Sequence, residues 1–272
     1  MTVGPDTVRR AAVLGHPVAH SLSPVLHAAA YAFLGLAWDY TAVEVDEEAL
    51  PGFLAGLGPE WVGLSLTMPL KRAVLPWLGS LDDVAELVGA ANTVLLSPEG
   101  RRGANTDVPG MVSALQESGV AAADEATVLG GGATACSALA ALSRLGVRQV
   151  QAYVRRPEAA GDLHAVADRL GLDLSIAPWA DAQQGLVSGL VVSTVPAGVA
   201  DDLRHAVPPM PGTLFDVVYD PWPTALAAQW TVRAGTVLSG HDLLVHQAAL
   251  QVELMTGRQV PVAVLRDALS TS

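Results

Sequence analysis

The chain has 272 residues, room for one large domain or two smaller ones. It is 51% hydrophobic, 15% charged and only 5% aromatic, so it can bury a large core built of Ala, Val and Leu. A net charge of −12 argues against nucleic acid as a partner, and no apolar run reaches the ~20 residues of a membrane span.

Cys136 is the single cysteine, so an internal disulfide is excluded and a reducing compartment fits. The N-terminal residues lack the arrangement of a signal peptide. The expectation is a soluble, cytoplasmic protein. Any anionic ligand must then find local positive groups in an acidic chain.

In chain order, residues 8–14 predict a strand ending at Gly15. A loop follows, Gly15-His16-Pro17-Val18-Ala19-His20-Ser21-Leu22-Ser23-Pro24. Ser23 is placed to cap a helix with Pro24 at its first position, and residues 25–34 form that helix, closed by Gly35. Residues 39–45 alternate as a strand and 47–57 read as helix. Residues 61–67 are a second strand, broken at Pro69. Residues 70–77 and 82–88 look helical, and 92–96 with Arg102-Gly103-Ala104 suggest a closing hairpin. The character changes at Asn105-Thr106-Asp107, and 108–119 read as a connecting helix.

From Val128 a β-α-β series begins. Val128-Leu129 leads into Gly130-Gly131-Gly132-Ala133-Thr134-Ala135, then an alanine-rich helix to residue 145 that stops at Gly146. Strands follow at 149–154, 190–194 and 214–218, with a long helix at 242–256. Strands separated by helices imply a parallel sheet covered on both faces.

The glycine turn is the stretch around which the rest is organised. Gly130-x-Gly132-x-x-Ala135 is the form of a dinucleotide-binding turn, in which glycines admit a pyrophosphate to a helix N-terminus. The plainer reading is an ordinary βα turn. Arg155-Arg156 stand where an NAD-binding unit carries an acid, and arginine suits a 2′-phosphate. A solvated surface pair is the alternative.

Three further features carry chemistry. Ser21 and Ser23 can converge on a carboxylate, although taken alone Ser23 as a helix cap is the plainer reading. Thr67-Met68-Pro69-Leu70-Lys71 places Lys71 past the end of a strand, where a lysine can exchange a proton with a ketone or alcohol; lysines are otherwise surface groups. Asp107 can pair with Lys71 or cap the following helix. His16, His20 and His27 lack the spacing of a metal site, and no metal is expected. Cys136 reads as a small buried side chain.

Taken together these motifs resemble the shikimate dehydrogenase family over nearly the whole length. Gly15-His16-Pro17 with His20-Ser21-Leu22-Ser23-Pro24 and His27 is similar to its opening signature. Thr67 to Lys71, Ala91-Asn92-Thr93 and Asn105-Thr106-Asp107-x-x-Gly110 resemble the next motifs in order. The glycine turn, Asp216-Val217-Val218-Tyr219-Asp220-Pro221 and the segment from Gly240 through Gln247 resemble the last three.

The resemblance implies an α/β fold of two domains with a cleft between them. Residues 1–106 would form an α/β substrate domain, with 242–272 packing back on it, and 107–241 a Rossmann-like doubly wound NADP domain. Lys71 and Asp107 would be catalytic. Ser21, Ser23, Thr67, Asn92, Tyr219 and Gln247 would join them on the substrate. Gly130, Gly131, Gly132, Ala133, Thr134, Arg155, Arg156, Val217 and Gly240 would bind NADP. The implied reaction is reversible reduction of 3-dehydroshikimate to shikimate, in a monomer or homodimer.

This sequence departs from the family pattern in three places. Ser65 replaces an asparagine, the turn reads Gly-Gly-Gly-Ala-Thr, and Val154-Arg155-Arg156 replaces Asn-Arg-Thr. A quinate or aminoshikimate dehydrogenase, and a non-catalytic NADP-binding regulatory protein, are the competing readings.

Overall fold

The computed structural model describes residues 8–120, 123–156 and 159–270, the side chain of residue 159 excepted. Residues 1–7 and 271–272 of the expected domain spans lie outside the described residues. The chain divides into two units, Met1–Thr106 with Val245–Ser272, and Asp107–Leu244.

The first unit contains β1 (Arg9–Gly15), α1 (Ser23–Leu34), β2 (Trp38–Glu44), α2 (Leu50–Ala55), β3 (Trp61–Leu66), α3 (Leu70–Ala73), β4 (Ser80–Leu81), α4 (Asp83–Val88), β5 (Thr93–Ser97) and β6 (Gly100–Ala104). Its sheet runs β2-β1-β3-β5-β6-β4. β1 lies parallel between β2 and β3, whereas β5 runs antiparallel to both β3 and β6. The start of β5 therefore stands beside the end of β3, with Ser65 opposite Thr93. Leu14, Leu50, Leu54, Leu64, Leu70 and Val94 fill the core on one face.

Several boundaries differ from the sequence expectation, three of them for reasons local to the chain. Pro51 is tolerated only in a first turn, because deeper in a helix its ring would meet the carbonyl four residues back, so α2 starts no earlier than Leu50 and runs Leu50–Ala55. Pro76 likewise cannot continue α3, and a separate 3₁₀ turn covers Leu75–Trp77. Ser23 is not the N-cap of α1. Leu22 holds that position with no side-chain bond, and Ser23 is the first helical residue.

The second unit contains α5 (Asp107–Glu117), β7 (Glu125–Leu129), α6 (Ala133–Arg144), β8 (Gln149–Val154), α7 (Ala159–Leu170), β9 (Asp173–Pro178), β10 (Leu190–Ser193), β11 (Thr213–Asp216), α8 (Ala225–Val232) and β12 (Thr236–Leu238). Every strand pair is parallel and the order is β12-β11-β10-β7-β8-β9. That is the doubly wound Rossmann order, with its topological switch between β7 and β10. Trp230 is fully buried in the core with Leu129, Leu186, Val191 and Leu214. The edge strands β9 and β12 are additions to the sequence expectation.

The final helices are α9 (Gly240–Thr256) and α10 (Val262–Ser270). α10 packs on α1, and Arg258 donates to the carbonyl of Leu34 at 2.7 Å, satisfying an orphan acceptor at the end of α1.

Candidate active site

In the first unit the site residues gather at the carboxyl ends of β1 and β3, where loops are freed from the sheet. Those two loops are laced together. The Thr67 N–H donates to Leu14 O at 2.9 Å and the His16 N–H to Met68 O at 3.0 Å. The approach requires glycine at position 15, since a Cβ there would lie 2.2 Å from Thr67 Cγ2. The Leu70 N–H then bonds Thr67 O and starts α3. Lys71, on α3, is fixed through its carbonyl, which accepts from the Ala91 N–H at 2.8 Å. That bond ties the backbone of Lys71 to the residue preceding Asn92. The Ser21 Oγ accepts from the Ser23 N–H at 3.3 Å, which ties the two serines together at the start of α1. Ser23 itself is buried.

Asn92 is 1% exposed and is held on all sides. Its Oδ1 accepts from the Thr106 N–H at 2.8 Å and from the Thr93 hydroxyl at 3.0 Å. Its Nδ2 donates to Thr106 Oγ1 at 2.9 Å and to Gln247 Oε1 at 3.0 Å. Two of the expected ligand-binding amides are thus bonded to each other. Asp107 follows Thr106 directly and is buried at the first turn of α5. It lies inside the helix rather than capping it.

Behind this pair lies a polar cluster absent from the sequence expectation. Gln251 is one helical turn beyond Gln247 on α9. It donates to Thr93 Oγ1 at 3.0 Å and Asn92 O at 3.3 Å, and accepts from Ser65 at 3.0 Å. Ser65 in turn accepts from the Tyr40 hydroxyl at 2.7 Å. The hydroxyl of Ser65 is therefore engaged within the unit. His27 stacks on Tyr40 with centroids 3.8 Å apart and meets Gln251 Oε1 at 3.4 Å. Burial pushes the His27 pKa down to about 3, against the opposing hydrogen bond to Gln251, so the ring is neutral at ordinary pH. Burial raises the pKa of Tyr31 and Tyr40. The spacing of Gln247 and Gln251 by four residues was the one signal of this cluster in the sequence.

In the second unit the glycine turn sits at the switch point. Gly130 has φ +120°, which disfavours any side chain, and a Cβ there would lie 2.4 Å from Thr194 Oγ1. Thr194 closes the adjacent strand end by donating through both N–H and Oγ1 to Leu129 O. Gly132 is the N-cap of α6 and offers no side chain to its first-turn N–H groups. A Cβ on Gly132 would meet nothing within 4 Å. Gly131, Ala133 and Thr134 complete the turn. Arg155 and Arg156 are exposed immediately after β8. The donors and space fit a dinucleotide: uncapped amides for the pyrophosphate and guanidinium groups for a further phosphate.

Val217 and Gly240 are brought together, since a Cβ on Gly240 would lie 2.2 Å from Val217 O. Tyr219 follows on the same segment, its ring 5.8 Å from that of His241. This segment is anchored by Asp216, which accepts from Thr224 Oγ1 at 2.8 Å and from the Val218 N–H at 3.4 Å. Burial raises the Asp216 pKa, the Thr224 hydrogen bond opposing it.

A family model described as the shikimate dehydrogenase substrate binding domain matches residues 13–94, and one described as the shikimate 5'-dehydrogenase C-terminal domain matches residues 240–269. The NADP(+) shikimate dehydrogenase of Moorella thermoacetica is 35% identical over 96% of this chain and 94% of its own. The chain belongs to the shikimate dehydrogenase family. Among solved members of that family, the Mycobacterium tuberculosis enzyme aligns with a TM-score of 0.89 at 40% identity, covering 97% of this chain and all of that one. A Thermus thermophilus enzyme, solved in complex with NADP(H) and shikimate, aligns at 0.83 with 34% identity, over 97% of this chain and 99% of the other.

Proposed function

We propose that this protein is an NADP-dependent oxidoreductase that interconverts 3-dehydroshikimate and shikimate. The observation that carries the reading is the bonded Asn92–Gln247 amide pair at the sheet end where the Lys71 backbone is anchored, in a chain of this family. The first unit is the substrate domain and the second the NADP domain. NADP, when bound, supplies or accepts the hydride. Gly130, Gly131, Gly132, Ala133 and Thr134 would hold its pyrophosphate, Arg155 and Arg156 its 2′-phosphate, and Val217 and Gly240 would lie along its nicotinamide.

The residues of this chain do the rest. Lys71 delivers a proton to the ketone oxygen during reduction and takes it from the hydroxyl during oxidation, an effect typically worth ~10²–10⁴-fold. Asp107 acts with it on the reacting hydroxyl. Ser21 and Ser23 donate to the substrate carboxylate, and Thr67, Asn92, Gln247 and Tyr219 contact the remaining oxygens. Lys71, the arginines and the N-terminus of α6 supply the local attraction that an acidic chain otherwise lacks. The ligands are small molecules, and the enzyme works in the cytoplasm as a monomer or homodimer.

The test is product formation. Purified protein given 3-dehydroshikimate and NADPH should consume NADPH and yield shikimate, identified by chromatography against the authentic acid. NADPH binding without shikimate formation would overturn the reading in favour of a regulatory protein.

A further inference from the structure

The heavy-atom positions around Gln251 fix the direction of every hydrogen bond in its cluster, because both ends are pinned by backbone groups that have only one role. The Thr106 N–H can only donate, so it meets Asn92 Oδ1, and Nδ2 must face Gln247. The Asn92 carbonyl can only accept, so it meets Gln251 Nε2, and Oε1 must face the other way. His27 then carries its proton on Nε2, facing Gln251 Oε1, and its Nδ1 accepts from the Tyr31 hydroxyl at 3.3 Å. Ser65 donates to the same oxygen and receives from Tyr40. The Thr93 hydroxyl, occupied by Gln251 on its lone pair, points its hydrogen at Asn92 Oδ1. The outcome at the far end is that Gln247 spends its carbonyl on Asn92 and keeps its amide hydrogens for a ligand.

We propose that Gln251 is a positioning residue for the substrate site, holding Asn92 and Gln247 so that Gln247 presents its Nε2 donors to an oxygen of the substrate. It does not touch the substrate. It is 1% exposed and acts through Thr93 and the Asn92 backbone. His27 and Tyr40, stacked behind it, keep its carbonyl turned inward. The proposal rests on the assignment of shikimate as substrate and adds a residue to it.

The experiment compares wild type, Gln251→Met and Gln251→Glu by steady-state kinetics with shikimate and NADP⁺ over a range of pH. Methionine keeps the volume and loses both hydrogen-bonding roles. Gln251→Met should raise KM for shikimate by about tenfold while KM for NADP⁺ stays within about twofold.

Gln251→Glu supplies the conservative control. A protonated glutamic acid still donates and accepts, whereas the carboxylate confronts the Asn92 carbonyl with no donor. The titratable groups facing this position are His27, directly, and Tyr31 and Tyr40 behind it, all neutral in the assay range. Burial raises the pKa of the introduced acid. Gln251→Glu should therefore match wild type best at the acid end and lose shikimate affinity progressively as pH rises.

Wild-type KM values in Gln251→Met, or equal effects on both substrates, would overturn the proposal. So would a Gln251→Glu profile parallel to that of wild type, which keeps it falsifiable if the methionine variant fails to fold. A wild type inactive with shikimate would remove the functional reading and the proposal with it. An active wild type matched by its variants would remove the proposal alone.

Discussion

The two units build their sites by opposite means. In the first, the side chains proposed to meet the substrate are held by other side chains: Asn92 by Thr93, Thr106 and Gln247, and this group is backed by Gln251, Ser65, His27 and Tyr40. In the second, the glycine turn is shaped by backbone and by the absence of a side chain at Gly130, and Gly240 lets α9 start against the carbonyl of Val217. A buried polar network specifies one arrangement of donors and acceptors, which suits a ligand that differs from its analogues by single hydroxyls. A glycine turn at a helix N-terminus recognises charge and shape, which suits a phosphate common to many ligands.

The contrast predicts that damage to one site should leave the other working. The largest expected effect is at Lys71. Lys71→Ala should lower turnover ~10²–10⁴-fold while NADPH still binds, measured by nicotinamide fluorescence; near-normal turnover would remove Lys71 from the chemistry. Next is Gly130→Ala, which forces a Cβ toward Thr194 Oγ1 at a φ of +120°. It should weaken NADP⁺ binding by more than about tenfold and cost about 1–3 kcal/mol of stability by thermal melting, with shikimate affinity preserved.

Replacing Arg155 and Arg156 with glutamine should raise KM for NADPH about tenfold and KM for NADH little, and equal changes would sink the 2′-phosphate assignment. The smallest effect concerns the network. His27 titrates near 6.5 when unfolded and near 3 when folded. Its folded pKa is lowered, so its contribution to stability is complete above pH 6.5 and is lost as pH falls toward 3. Below that upper value the unfolded chain binds a proton that the folded chain refuses. Denaturant melts should show stability falling as the pH drops through that window because of this residue. That component should vanish in His27→Phe, and an unchanged slope would contradict it.

The sequence discloses what local pattern controls. The strand–glycine–helix at 125–144 is legible because the turn, the apolar run and the alanine helix are contiguous. The edge strands β9 and β12 are not. β9 is an edge strand carrying Asp173 and Ser175, and β12 has only three residues, so neither shows the apolar run of a central strand. Ser23 is the first residue of α1 rather than its cap because a one-residue shift at a helix start leaves no trace in composition. The Gln251 cluster escapes for another reason: His27 and Gln251 are 224 residues apart, and only the fold brings α1 and α9 to the same strand ends. Ser65, which stands where the family pattern has asparagine, closes its hydrogen bonds on Tyr40 and Gln251, and only the fold brings those partners to it.

The most direct measurement is kcat/KM, from absorbance in the nicotinamide band, for shikimate and quinate with NADP⁺ and NAD⁺ in all four pairings. Rapid reduction is expected with shikimate and NADP⁺, exceeding each other pairing by more than about tenfold. Preference for quinate, or silence in all four while NADPH still binds, would contradict the assignment.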